Sequence, residues 1–305
     1  MINTVNSINK ALKCRTLDFV NETENEYHEQ IKGIAKRVAE NKDIGVIMLA
    51  GPSASGKTTT AHILRDYLRK MGVRTEVVSL DNFYLEFSDP RIPLLDNGRP
   101  DFESVYSLDI EKIRKCISDI TEKHICDIPI FDFLSRTRKK EYAHLDTTDG
   151  IVIIEGLHAL NPILLEGVKD SKTFKVYISV NTPILHDDGS VALSSRQIRL
   201  IRRSLRDVAY RGSDIYHTLK LWTAVVDGER KYLYAYKDTA DVMISTLHPY
   251  ELGVFRDGFL KMTENLTPDT ENYEYVMRAR QGISKIISVS SSVVPETSLL
   301  REFLA

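Results

Sequence analysis

Gly51-Pro52-Ser53-Ala54-Ser55-Gly56-Lys57-Thr58 fits the spacing G-x4-G-K-[ST], whose chemistry is the holding of a polyphosphate. Glycines let the backbone wrap until its N–H groups turn inward toward phosphate oxygens. A helix starting behind them adds unpaired donors and partial positive charge. In such a loop ATP would contact Gly51, Pro52, Ser53, Ala54, Ser55, Gly56, Lys57, Thr58 and Thr59. Lys57 would bridge the β- and γ-phosphates, and Thr58 would offer its hydroxyl to Mg²⁺. The same letters also fit a Gly-rich turn with a solvated lysine. Context separates the two: residues 44–50 (IGVIMLA) are a short apolar run, and Ala61, Leu64 and Leu68 behind the loop fall on one helical side.

Moving a phosphoryl group onto an alcohol needs an oxygen base beside the γ-phosphate. Asp81 directly follows segment 75–80 (TEVVSL), which reads as a strand, and in a doubly wound sheet the carboxyl ends of strands face the ligand crevice. An aspartate there also serves as a plain turn cap. Phe83 and Tyr84, next along, would line an acceptor pocket or simply join the core. Glu155 ends the apolar segment 151–154 and is the metal candidate with Thr58, since a hard cation takes oxygen ligands.

Residues 196–211 hold Arg196, Arg199, Arg202, Arg203, Arg206 and Arg211. At helical spacing Arg199, Arg202, Arg203 and Arg206 gather on one side. Such an array suits a polyphosphate whose charge must be neutralised during transfer, and a mobile lid carrying it would exclude water. A solvated basic helix or a nucleic-acid contact is the blander reading.

These side chains need a scaffold. Segments 44–50, 75–80, 151–154, 174–180 and 241–246 read as strands, with helices at 108–120 and 222–236 and loops at 89–101 and 182–195. Strands alternating with helices imply a parallel sheet, because parallel neighbours need crossover connections. The expected fold is α/β: a three-layer P-loop NTPase fold with a doubly wound parallel sheet and an Arg-rich helical lid. Ile31, Ile34, Ala35 and Val38 mark a helix ahead of it. The division expected is an N-terminal helical extension over 1–42, a kinase domain over 43–290 with its lid at about 182–214, and a C-terminal tail over 291–305.

Within 305 residues the net charge is −2, with 42% hydrophobic and 28% charged side chains, the values of an ordinary folded chain without general attraction to nucleic acid. Cys14, Cys116 and Cys126 show no metal-ligand spacing, and there is no apolar stretch long enough for a membrane span or leader. A cytoplasmic protein is expected, with no membrane or nucleic-acid partner; a homo-oligomer is compatible with the sequence.

From residue 44 onward the motifs resemble the uridine kinase and phosphoribulokinase-like family. The phosphate loop is followed by Asp81-Asn82-Phe83-Tyr84, similar to the family's D-[SDN]-F-Y. Phe102-Glu103 resembles its Phe-Asp pair, and Phe131-Asp132-Phe133-Leu134-Ser135-Arg136-Thr137-Arg138 its Y-D-F-x-x-H-x-R. Glu155-Gly156-Leu157 resembles its E-G-[IL], and residues 199–212 (RLIRRSLRDVAYRG) its lid motif. The ending at 294–303 (VPETSLLREF) further resembles a bacterial nucleoside-kinase branch.

The resemblance implies that Asp81 is the general base and that Lys57, Arg203, Arg206 and Arg211 act on the transferred phosphate. It implies an acceptor site formed by Asp81, Phe83, Tyr84, Phe102, Glu103, Phe131, Arg136 and Arg203, with Mg²⁺ at Thr58 and Glu155. Phe131 and Arg136 replace the tyrosine and histidine that face the pyrimidine in uridine kinases, Glu103 is one methylene longer than the family acid, and Ser213 replaces a lid arginine. The acceptor expected is a nucleoside, uridine- or cytidine-like or thymidine, phosphorylated at its 5′-hydroxyl. A sugar or sugar-phosphate kinase, and a nucleotide-dependent regulatory or RNA-associated binding module, are the alternatives.

Overall fold

Val46, Ile47, Met48, Leu49 and Ala50 carry no polar side chain, and all are buried as strand β1 (Val46–Ala50) at the centre of a parallel sheet. The computed structural model describes residues 3–133, 135–148 and 150–304. The other sheet strands are β2 (Arg74–Ser79), β5 (Gly150–Gly156), β6 (Thr173–Ser179) and β9 (Val242–Ser245), in the order β2-β5-β1-β6-β9. Val46 pairs with Val152 on one side and Thr173 on the other, and Ser79 pairs with Glu155. Parallel pairing places Gly51, Asp81 and Glu155 at one end of the sheet, which is where the expected chemistry requires them.

Alternation along β1 produces the three layers. Ile47 and Leu49 face a core built with α2 (Thr16–Glu40) and α3 (Lys57–Lys70), while Val46, Met48 and Ala50 face α4 (Ile110–Lys123). The first layer also includes α1 (Val5–Cys14), α5 (Ser195–Tyr210), α6 (Ile215–Tyr232), α7 (Glu251–Met262) and α8 (Tyr273–Ser284). The strands expected from the sequence match these elements to within a residue or two at each end.

Two hairpins lay outside the sequence reading. β3 (Ile125–Asp132) and β4 (Thr137–Asp146) pair antiparallel as a ribbon beside α4. The segment 182–195, read as a loop, contains β7 (Ile184–Leu185) and β8 (Val191–Leu193), joined through Gly189 at φ +84°. Ser194 then caps α5, its hydroxyl accepting the Gln197 N–H at 3.2 Å.

Residues at both ends pack inward. Leu12, Phe19, Tyr27 and Ile31 of α1 and α2 are buried, as are Leu299, Leu300 and Phe303 in a short 3₁₀ turn, Leu299–Phe303. Cys116 on α4 and Cys126 on β3 are both free and buried. Among the described residues no helix is long and apolar enough to cross a membrane.

Candidate active site

Two glycines of the phosphate loop are required by contact. A Cβ on Gly51 would stand 2.5 Å from the Ile178 carbonyl oxygen; on Gly56, at φ +85°, it would stand 2.3 Å from Leu299 Cδ1. Ala54 also takes a left-handed turn, at φ +56°. α3 begins at Lys57 immediately after this bend, so its first free N–H groups open into the loop. The Lys57 ammonium donates to the Pro52 carbonyl at 3.2 Å, and the buried Ser55 hydroxyl has no partner.

The loop rests on α5 and α6. Arg199 donates to both oxygens of Glu229, at 2.6 and 2.7 Å, and to the Ser53 carbonyl at 3.0 Å; the Ser53 N–H in turn donates to Glu229 at 2.9 Å. Arg202 donates to Glu251 at 2.6 and 2.8 Å and to the Ala54 carbonyl at 3.4 Å. Both pairs are essentially without solvent exposure. This corrects the reading of four arginines as one phosphate-facing array. Arg199 and Arg202 are each neutralised by a glutamate, and their guanidinium groups brace the back of the loop.

Arg203 and Arg206 remain on the site side. Arg203 donates to the Ser53 hydroxyl at 2.7 Å, and Asp207 binds Arg203, Arg206 and Arg211 at 3.2, 3.0 and 3.6 Å. Burial weakens the hold of Arg203 and Arg211 on their protons, and the Arg206 charge beside them adds to this.

Asp81 sits in a 3₁₀ turn after β2, its N–H donating to the Ser79 hydroxyl at 3.3 Å. Its side chain reaches solvent at the mouth of the crevice but is hemmed in by protein behind. Desolvation pushes its pKa up, opposed by the positive charges of Lys57, Arg211 and Arg206. The Thr58 hydroxyl donates to Glu155 Oε1 at 3.2 Å, and burial raises the Glu155 pKa against the pull of Lys57. Thr58 and Glu155 thus present two oxygens side by side, a donor set that fits a hard cation whose remaining ligands are phosphate and water.

On the far side of Asp81 the elements converge differently. Glu103 lies against α6 because Gly228 has no side chain there; a Cβ would be 2.6 Å from Glu103 Cβ. Burial, together with Glu229, Asp101 and Asp81, outweighs Arg203 and raises the Glu103 pKa to about 7. The Tyr232 hydroxyl donates to Asp101 at 2.7 Å, and Tyr84 donates to the Phe102 carbonyl at 3.1 Å. His158, 3% exposed, packs edge-on to Tyr232, and burial lowers its pKa to about 4.

Phe131 is buried within an aromatic cluster of Tyr84, Phe87 and Phe133, and Phe87 stacks on Phe102 at 4.0 Å. Arg136, at φ +59°, is exposed with its guanidinium 5.5 Å from the Phe87 ring centre. Arg138 donates to the carbonyls of Phe83 and Tyr84 and pairs with Asp109, fixing the segment that follows Asp81. Leu134 lies outside the described residues.

A family model described as Phosphoribulokinase / Uridine kinase family matches residues 46–252, well over half of the chain. The chain belongs to this family. A uridine kinase of Limosilactobacillus reuteri is 26% identical over 189 residues, 62% of this chain and 77% of the relative. A uridine kinase of Mycoplasma genitalium is 29% identical over 181 residues, 59% and 75% of the two chains. Among solved structures, one described as a possible uridine kinase from Bacillus stearothermophilus has a TM-score of 0.50 at 21% identity, covering 72% of this chain and 99% of its own. A D-glycerate 3-kinase from Cryptococcus neoformans has a TM-score of 0.51 at 18% identity, covering 72% and 95%. These two share the fold. The protein is an ATP-dependent P-loop kinase whose partners are ATP and a small-molecule acceptor.

The kinase site includes residues that motif reading missed. Glu229 and Glu251 hold the loop-bracing arginines, Asp207 gathers the other three, and Gly228 seats Glu103. Glu229 carries a sequence signal: it continues the buried stripe Trp222, Val225, Val226 at helical spacing, where an acid needs a buried partner.

Proposed function

We propose that this kinase transfers the γ-phosphoryl group of ATP to the 5′-hydroxyl of a nucleoside. The observation that carries the proposal is the placement of Asp81 at the carboxyl end of β2 among Lys57, Arg206 and Arg211, beside the phosphate loop and across from Glu103. Curated relatives named uridine kinase and uridine-cytidine kinase support the choice of a nucleoside.

In the mechanism the loop from Gly51 to Thr59 holds the triphosphate, Pro52 having no N–H and the Ser53 N–H being given to Glu229, and Lys57 shifts from the Pro52 carbonyl to the β- and γ-phosphates. Thr58 and Glu155, 3.2 Å apart, would hold Mg²⁺, which would supply positive charge to the phosphates. Asp81 accepts the acceptor hydroxyl's proton as its oxygen attacks phosphorus in line, while the bond to the ADP oxygen breaks. Arg203, Arg206 and Arg211 offset the negative charge of the transferring group. The lid expected over about 182–214 carries these arginines, with Arg199 and Arg202 fixed at its base by their buried glutamate pairs. Tyr84, Phe102, Glu103, Phe131, Arg136 and Arg203 form the acceptor side, with ionised Glu103 accepting ribose hydroxyls; Phe83, expected among them, is instead buried in the core beside α4. A cytoplasmic setting accords with three free cysteines.

A sugar-kinase reading is favoured by one observation: Phe131 is packed among aromatic rings and offers no hydrogen bond to a base edge. Mg²⁺-dependent ADP release measured against a panel of nucleosides and sugar phosphates decides between them. Stimulation by a nucleoside, abolished in Asp81→Asn, supports the proposal. Stimulation by a sugar phosphate alone replaces it, and ATP binding without any acceptor-dependent turnover favours the regulatory binding module.

A further inference from the structure

Residues after 252 lie outside the span matched by the family, yet the last of them reach the phosphate loop. The turn Leu299–Phe303 is wedged between α3 and α5. Leu299 fills the space that Gly56 leaves by lacking a Cβ, and the Phe303 ring lies 5.2 Å from the Arg202 guanidinium. Leu299, Leu300 and Phe303 are buried, so apolar packing fixes the turn without help from the one acid it carries.

That acid is Glu302. Its Oε2 accepts the Thr59 hydroxyl at 3.0 Å, in the first turn of the phosphate-loop helix, and its Oε1 stands 3.7 Å from the Arg206 guanidinium. Arg206 is otherwise held by Asp207, and its charge acts directly on Asp81. One carboxylate therefore connects the start of α3, which would hold the nucleotide, to an arginine on the catalytic side.

We infer that Glu302 is a positioning residue for phosphoryl transfer, holding Arg206 against the phosphate-loop helix so that the guanidinium meets the γ-phosphate already oriented. A free arginine side chain loses considerable rotamer freedom when it binds. An arginine held at two carboxylates has lost much of it beforehand. Glu302 makes this contribution from a segment beyond the shared family span.

The test is binding of Mg²⁺ with AMP-PNP compared with ADP, measured by calorimetry on the full chain. It needs no acceptor, so its outcome is independent of whether a nucleoside is the substrate. Glu302→Gln keeps an oxygen for the Thr59 hydroxyl and removes the charge facing Arg206; Glu302→Ala removes both. Each is expected to weaken AMP-PNP about fivefold to tenfold, the scale of one charge-assisted contact, and to leave ADP within about twofold. In an Arg206→Ala background the same changes at 302 are expected to alter AMP-PNP affinity by less than about twofold. Equal weakening of both nucleotides, a loss that persists undiminished without Arg206, or no loss in either variant would each overturn the inference.

Discussion

Arg199 and Glu229 form a doubly hydrogen-bonded ion pair at 2.6 and 2.7 Å, and the same carboxylate accepts the Ser53 N–H of the phosphate loop. The pair is sealed from solvent, so neither charge has an alternative partner in water. Replacing Glu229 with glutamine strands a buried guanidinium. The expected cost is about 3–5 kcal/mol of stability, as for other buried pairs broken from one side. Urea denaturation reads this directly, and ATP affinity is expected to fall with it because Arg199, which donates to the Ser53 carbonyl, loses its counter-charge. Unchanged stability would mean that Arg199 finds another anion.

Asp81→Asn preserves the shape of the side chain while removing its capacity to take a proton. Turnover is expected to drop by about 10²–10⁴-fold, the usual contribution of a positioned general base, with ATP affinity held within about threefold. Rate measurement together with ATP titration separates this from a collapse of the site. A variant retaining more than a tenth of wild-type turnover would remove Asp81 from the base role.

Glu103 connects pH to both acceptor binding and stability. Its pKa lies near 7 in the folded protein against an ordinary value of 4.5. Between these values the folded state holds the extra proton, so stability falls as pH rises from about 4.5 to about 7 and changes no further through this group. Glu103→Gln is therefore expected to match wild type at pH 4.5 and exceed it at pH 8, by on the order of 1–2 kcal/mol given partial solvent access. Acceptor binding runs the other way. The ionised carboxylate is the better acceptor of hydroxyl donors, so acceptor KM is expected to fall as pH rises from 6 to about 8 and to lose that dependence in Glu103→Gln. A flat KM profile in wild type would take Glu103 out of the acceptor contact.

Gly228→Ala adds one methyl group where Glu103 Cβ stands 2.6 Å away. Alanine is the better helix former by about 1 kcal/mol, so any loss must come from the displaced Glu103. The expected result is an acceptor KM raised about tenfold with ATP KM unchanged. Equal effects on both substrates in steady-state kinetics would show that the substitution disturbs α6 as a whole.

Most of the sheet was legible because its strands are short runs, apolar at 44–50 and 151–154, ending at residues that punctuate the chain: Gly51, Asp81 and Glu155. The phosphate loop was legible because its residues are consecutive. The β3–β4 ribbon was obscure because β4 is polar along almost all its length and carries no two-residue alternation of burial. The arginines were misread for a different reason. Spacing places Arg199 and Arg202 on the same helix as Arg203 and Arg206 but says nothing of Glu229 and Glu251, whose proximity the tertiary fold creates. Glu302 lies some 240 residues beyond Thr59, and a lone acid in a terminal turn carries no local pattern at all.

The bracing of the phosphate loop also bears on the order in which the chain matures. Ser53 is secured by side chains 146 and 176 residues further on, Arg199 and Glu229. During synthesis the loop and its helix leave the ribosome long before either partner has been made. A nascent chain that stops short of residue 229 has the whole nucleotide-binding signature but lacks the carboxylate that holds both Ser53 and Arg199. Full nucleotide affinity is thus expected only once synthesis has passed Glu229.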